Sequence, residues 1–295
     1  MSRFSQKTGG FIGVMDLKRL RVRVLYWCMF SFLFLVSLVL LVPPLWIILS
    51  SLKDVREFYA TPPSLLPKTL QLWKVVEVWN KLEFLRYYGN SFIVVAGCVA
   101  STIIFNGLLA YGISRLKPRG SKFIFGLILA SIMLPSTVGM VPLFKDITNL
   151  KLMNSFVPLW LMSGATAFVV MVYKNFYDNI PSSLFDAAEI DGCSTFGVFW
   201  NIVVPLSKAI NMVIIIITVN SSWSEFFWSF MILREKTLQT VMVRIYVMST
   251  SFSSVGYGID YQLVALTFAI LPPVIMFIFF QKYIIQGIAL TGIKG

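Results

Sequence analysis

The chain has no histidine, and only 13 of its 295 residues are acidic. Without imidazole, the commonest proton shuttle and the commonest metal ligand are both missing. Little is left from which to assemble a nucleophile–base pair or a metal centre, which argues against a membrane enzyme. Cysteine is scarce too. Cys28, Cys98 and Cys193 lie far apart, two in apolar runs and one in a polar segment. That spacing allows neither a disulfide framework nor a CxxC metal site within one chain, and packing is their expected role. No Gly-Lys-Ser/Thr phosphate loop occurs, so the chain does not bind and hydrolyse ATP by itself. Charge is sparse: 13% of residues are Asp, Glu, Lys or Arg, against about a quarter in soluble domains.

Apolar sequence fills the space. Hydrophobic residues make up 57% of the chain, and the mean hydropathy is +0.80. Six nearly uncharged runs stand out, at 25–49, 89–114, 123–144, 153–173, 209–233 and 261–281. Each has about the twenty residues that cross roughly 30 Å of hydrocarbon at 1.5 Å per residue. The first is too long for a cleaved leader and carries Pro43, Pro44 and Trp46 where a small-residue cleavage site would sit. The expected fold is all-α and integral to the membrane. Its parts are a segment 1–24, a six-helix transmembrane domain 25–286 with a structured loop at 178–207, and a tail 287–295. Pro135, Pro142, Pro158, Pro272 and Pro273 fall inside runs and predict kinks.

The net charge of +12 is spread over every loop, which argues against a nucleic-acid partner. Arginine and lysine mark topology instead. The dense clusters are Arg3, Lys7, Lys18, Arg19, Arg21 and Arg23 before the first run, and Arg115, Lys117, Arg119 and Lys122 after the second. They place both segments in the cytoplasm, and with six spans both termini lie there, as does the loop 178–207. The longest segment on the other side is 50–88. It carries Trp73, Trp79, Tyr87 and Tyr88, and the stretch 71–85 predicts a surface helix with Leu72, Val75, Val76, Trp79 and Leu82 on one face.

Residues 180–206 form a polar island that does not read as slack. Ser183 and Asp186 have the spacing of a capping box. Leu184, Ala187, Ala188 and Asp191 follow at helical intervals, and Gly192 suits a helix stop. Phe199, Trp200, Ile202 and Val203 then make a second apolar face ending at Pro205. Such a pair either docks on another protein or packs on its own spans. Farther on, Glu225 is the only charged residue within the proposed spans. It lies in a polar run with Asn220, Ser221 and Ser224. Such a group faces a bundle interior or an aqueous path, or it pairs within the subunit and fixes helix packing.

Asp186-Ala187-Ala188, Asp191-Gly192, Phe199 and Pro205-Leu206 resemble the E-A-A-x-x-D-G coupling loop of permease subunits of ATP-binding-cassette importers. Asp186 stands for the usual Glu, and Cys193 for the usual Ala. The segment around Glu225 is similar to the W-N-E-F element of sugar permeases, with Ser224 replacing Asn. Gly89-Asn90-Ser91, Ala110 to Arg115, Leu134-Pro135 and Val141-Pro142-Leu143 agree with the same subfamily. The end, with Gly287, Thr291, Gly292 and Lys294, resembles the tail of the maltose-type permease that reaches between two ATPase subunits. The resemblance covers residues from about 25 to 295. It implies a bacterial cytoplasmic-membrane subunit that works by alternating access, with Asp186, Ala187, Ala188, Asp191, Gly192, Phe199 and Pro205 coupling to the ATPase. It further implies a homologous second permease, an ATPase dimer carrying ATP and Mg, and an extracytoplasmic solute-binding protein as partners, besides membrane lipid, and no cofactor on this chain. A sugar or oligosaccharide is the expected cargo; a non-sugar solute, or an ion-driven carrier or channel, are the alternatives.

Overall fold

A computed structural model describes residues 20–62, 64, 66–255 and 258–292, with side chains outside 251–255 and 282–292. Among the described residues every regular element is helical. Helices satisfy their own backbone groups, which hydrocarbon requires. The chain divides into two compact units, 1–71 and 72–295.

In the first unit, α1 (Leu20–Ser51) is apolar on all sides, and its side chains from Val24 to Val42 are exposed. That profile fits a lipid-facing span. It leads into a turn at Val55–Phe58 capped by Asp54, which accepts from the Arg56 N–H. The following loop is pinned by Glu57, which accepts from the Lys68 N–H and the Ser64 hydroxyl, both at 3.0 Å.

The second unit begins with α2 (Trp73–Lys81). Its buried face differs from the expected one. Lys74, Val78 and Leu82 point inward with Val75 and Trp79 beside them, while Leu72 and Val76 are exposed. The cause is an ion pair: the Lys74 ammonium meets Asp260 at 2.9 Å with both side chains buried, and a buried charge must be paired. Next, α3 (Phe84–Leu116) runs 33 residues. It starts before the expected position 89, because Glu83 at φ 51 turns the chain into it.

Three of the six apolar runs are not straight spans. The third divides into α4 (Ser121–Ile132) and, after Pro135 and a short turn, α5 (Met140–Asn149), bent by 102°. The fourth becomes α6 (Val157–Ser163) and α7 (Ala167–Asp178), bent by 45°. Then come α8 (Ser182–Ile190) and α9 (Thr195–Leu206), the latter meeting α10 (Lys208–Ser224) at 82°. The fifth run stops at Glu225 and resumes as α11 (Phe227–Ile232). The helix α12 (Val241–Val255) was not expected from the sequence, and α13 (Ile259–Gly292) closes the described chain. By length and composition, α1, α3 and α13 can each cross a bilayer, and up to six spans result if each bent pair counts as one.

The break between α6 and α7 is satisfied from α3. Where a wide π-turn at Thr102–Asn106 interrupts α3, Asn106 donates to the Ser163 carbonyl at 3.0 Å and accepts from the Thr166 N–H at 2.9 Å. Backbone polar groups freed by a broken span are thereby paired, as they must be out of water.

Two cores flank this region along α3. Near its start, Phe84, Tyr87 and Val95 pack with α2, Trp223, Val241, Val264 and Phe268. Near its end, Ala110, Tyr111 and Ile113 pack with Tyr173, Tyr177, Ala188, Phe199 and Val203. The Gly89-Asn90-Ser91 element lies inside α3 and ties α12. Asn90 donates to the Thr237 and Gln239 carbonyls at 2.9 Å, and the Ser91 hydroxyl accepts from the Val241 N–H at 3.0 Å. Of the cysteines, Cys98 is buried as packing requires, but Cys28 and Cys193 are exposed.

Candidate functional site: an anchored helical pair and a polar cavity

The polar island folds into α8 and α9, as its pattern predicts, but the caps differ. Ser183 makes no capping bond; α8 opens at Pro181, which places Ser183 in the first turn. The serine cap is found on α9 instead, where the Ser194 hydroxyl accepts from the Gly197 N–H at 3.1 Å. At the end of α8, Gly192 takes φ +73. The Cys193 N–H reaches the Ala188 carbonyl at 2.9 Å and the Gly192 N–H reaches that of Glu189 at 3.1 Å. These two bonds define a Schellman stop. Pro205 does not end α9 but lies within its last turn. The chain turns two residues later at Ser207, whose hydroxyl donates to the Val203 carbonyl at 2.6 Å.

Burial divides the predicted coupling set. Asp186, Ala187, Asp191, Gly192 and Pro205 are exposed. Ala188 and Phe199 are turned inward, with Phe199 0% exposed. They hold the pair on the spans and offer nothing to a partner's surface. Phe199 lies 5.5 Å from the Tyr111 ring. Gly107 packs beside it, where a Cβ would stand at ordinary contact distance, 3.4 Å from the Phe199 ring and 3.5 Å from the Tyr177 hydroxyl. The outward face carries apolar side chains among the acids: Ile190 is 86% exposed and Phe196 59%.

The last turn of α3 fastens the pair, which the sequence pattern did not reveal. The Ser114 hydroxyl donates to Asp178 at 2.6 Å, and Lys174 holds the other carboxylate oxygen at 2.6 Å. The Arg115 guanidinium donates to the carbonyls of Tyr177 and Ile180, and lies 4.5 Å from the centre of the Phe185 ring. The Ala110-to-Arg115 element was visible in the sequence as a family likeness only. Its partners are some sixty positions away, beyond the reach of a local pattern.

The residues predicted for a pathway are not brought to one place. Ser221 and Glu225 line a polar cavity of about 210 Å³, together with Ser222, Trp228 and, from α3 and the α6–α7 break, Cys98, Ser163 and Thr166. Asn220 faces a separate apolar cavity of about 490 Å³ with Trp223 and Pro272. Ser224 is exposed. The Glu225 carboxylate accepts from the Trp228 N–H at 2.7 Å and so caps α11. It therefore fixes packing and lines the cavity at once. Ser163 and Thr166 were missed because they lie at a break in a run that reads as one apolar span.

At the far end, Gly287, Thr291 and Gly292 continue α13 rather than forming a separate tail. Their side chains and Lys294 lie outside the described residues.

Comparisons with known proteins give the family and the fold. Residues 103–290 match the family of binding-protein-dependent transport system inner membrane components. A Bacillus subtilis relative, the arabinooligosaccharides transport system permease protein AraQ, is 31% identical over 267 residues, covering 90% of this chain and 94% of that protein. The sn-glycerol-3-phosphate transport system permease protein UgpE of Escherichia coli O1:K1 is 28% identical, covering 80% and 85%. In fold, the chain is similar to a chain in the crystal structure of a bacterial ABC transporter involved in the import of the acidic polysaccharide alginate. There the TM-score is 0.78 at 22% identity, over 90% of this chain and 98% of that one. A helical, multi-pass membrane subunit of transport is the class these features define. The chain belongs to the binding-protein-dependent transport system inner membrane component family.

Proposed function

We propose that this chain is one of two homologous permease subunits of an ATP-driven importer of sugars or oligosaccharides. The observation that carries the proposal is the α8–α9 pair: its inner face is fixed in the core by Ala188, Phe199 and Val203, while Asp186, Ala187, Ile190, Asp191 and Phe196 remain outward. A pair rigid on one side and open on the other suits displacement by a partner. The partner is an ATPase dimer on the cytoplasmic face, which carries ATP and Mg. In this reading α1, α3, α4–α5, α6–α7, α10–α11 and α13 are the six spans, both termini are cytoplasmic, and a solute-binding protein delivers cargo from outside. The residues around Gly287, Thr291, Gly292 and Lys294 reach toward the ATPase.

The cavity lined by Ser163, Thr166, Ser221 and Glu225 is this subunit's share of the path. At about 210 Å³ it is smaller than the several hundred Å³ usual for a whole small-molecule site, and the second permease completes it. Hydroxyl groups and a carboxylate suit the hydroxyls of a sugar. The lining has no basic side chain, which favours a neutral saccharide over a phosphorylated solute of the kind in UgpE's name.

The test is purification of the chain from its own membranes through an affinity tag. Recovery of an ATPase and a second permease, with ATP- and binding-protein-dependent uptake of a labelled arabino-oligosaccharide in proteoliposomes, is the expected result. A lone chain that transports without ATP contradicts the proposal.

A further inference from the structure

We propose that Arg115 is a positioning residue for coupling, the fastener that makes the α8–α9 pair move as one with the ends of α3 and α7. This rests on the reading that the pair docks on an ATPase. One guanidinium touches three places. It bonds the Tyr177 carbonyl in the last turn of α7 and the Ile180 carbonyl at the entry to α8, and it stacks 4.5 Å from the Phe185 ring inside α8. The last carbonyls of a helix carry its negative end, so a cation there is favoured; the Tyr177 carbonyl also accepts from the Ile180 N–H at 3.1 Å, and the guanidinium adds to that turn. Next to it, the Ser114–Asp178–Lys174 chain ties the same end of α3 to α7.

The rest of the attachment is apolar. Ala188, Phe199 and Val203 sit in the core shared with Tyr173 and Tyr177. Burial of this kind is non-directional; it keeps the pair on the spans without fixing its angle. The bonds of Arg115 are directional, and they act on the segment between α7 and α8 where an angle is set. Arginine can do this because a planar group can donate in its plane while stacking through its face. A lysine in its place keeps the charge but cannot do both.

The importer complex, purified with its partner subunits, tests this in a background with Cys28, Cys98 and Cys193 replaced by serine. Asp186→Cys reports docking by cross-linking to the ATPase. Ser221→Cys reports the cavity through its labelling rate with a membrane-impermeant maleimide. With Arg115 in place, ATP plus vanadate is expected to change that rate by about tenfold, within the range of couplings between sites. In Arg115→Lys the cross-link is retained and the change shrinks to less than about twofold. A part that only held the structure together would not separate these two readings. Where Arg115→Lys loses assembly or the cross-link, Phe185→Leu decides, with an expected drop in the nucleotide response of about threefold. A retained cross-link with an undiminished response overturns the inference alone. No cross-link from Asp186→Cys in the complex with Arg115 intact overturns the docking reading, and the inference with it.

Discussion

At the scale of single residues, two positions carry testable weight. Gly192 has φ +73, and a Cβ there would meet nothing within 4 Å. Any penalty for substitution is therefore conformational rather than steric. Gly192→Val costs about 1–2 kcal/mol in this conformation, whereas asparagine tolerates it. We expect Gly192→Val to assemble but to lose most uptake and binding-protein-stimulated ATP hydrolysis, and Gly192→Asn to keep both. Equal values for the two variants in reconstituted complexes contradict this. The second position is Glu57, outside the spans. The Lys68 N–H bonded to its carboxylate holds its pKa below the usual range, against an opposing push from burial. A carboxyl with a lowered folded pKa stabilises above its unfolded pKa and loses that contribution as pH falls through the lowered one. The loop 54–71 should therefore become more open to proteolysis as the pH falls through and below the ordinary carboxylate range. Glu57→Gln should be cleaved more readily at neutral pH and change less on acidification; cleavage rates with the same pH profile in both proteins contradict the assignment.

At the scale of elements, the breaks are the informative features. The sequence made the apolar runs legible because hydrocarbon thickness sets their length, but it did not show where they bend. Pro135 is visible as a breaker. The α6–α7 break is not, because Ser163 to Thr166 are small residues, and the Ser163 carbonyl and the Thr166 N–H find partners on another helix, in Thr102 and Asn106. Likewise the buried face of α2 follows Asp260, nearly two hundred residues away, and not the apolar period of α2 itself. Two predictions belong here. A Cβ on Gly97 of α3 would stand 2.2 Å from the Trp160 ring of α6. Gly97→Ala should lower stability by about 1–3 kcal/mol through overpacking, read as an earlier melting transition in detergent; an unchanged transition sinks the close packing of α3 on α6. Lys74 and Asp260 form a pair with 1% and 6% side-chain exposure. Lys74→Met alone leaves a buried carboxylate unpaired and should cost about 3–5 kcal/mol, while the double change with Asp260→Leu should recover much of it. Equal melting of the single and double variants contradicts a buried, coupled pair.

At the scale of the whole molecule, the class of the protein was legible because membrane spans must be long and a compact helical pair has its own pattern, and both constraints are local. The helical pair that leaves Asp186, Ala187, Asp191, Gly192 and Pro205 exposed was readable for that reason. What was not readable is how the loop is held. Phe199 looks like part of an outward aromatic face until Gly107 and Tyr111 are seen to receive it. Arg115 looks like a topology marker until Tyr177, Ile180 and Phe185 are placed around it. The division between an anchored face and an exposed one is thus a property of the tertiary structure, and the proposed docking depends on it. Hydrogen–deuterium exchange of the membrane-embedded chain, with and without its ATPase subunits, tests that division most directly. The account predicts new protection at backbone amides from about 184 to 197, with residues 199–203 already slow in both states. Unchanged exchange across α8 and the start of α9 when the ATPase binds, with protection appearing elsewhere, would contradict it.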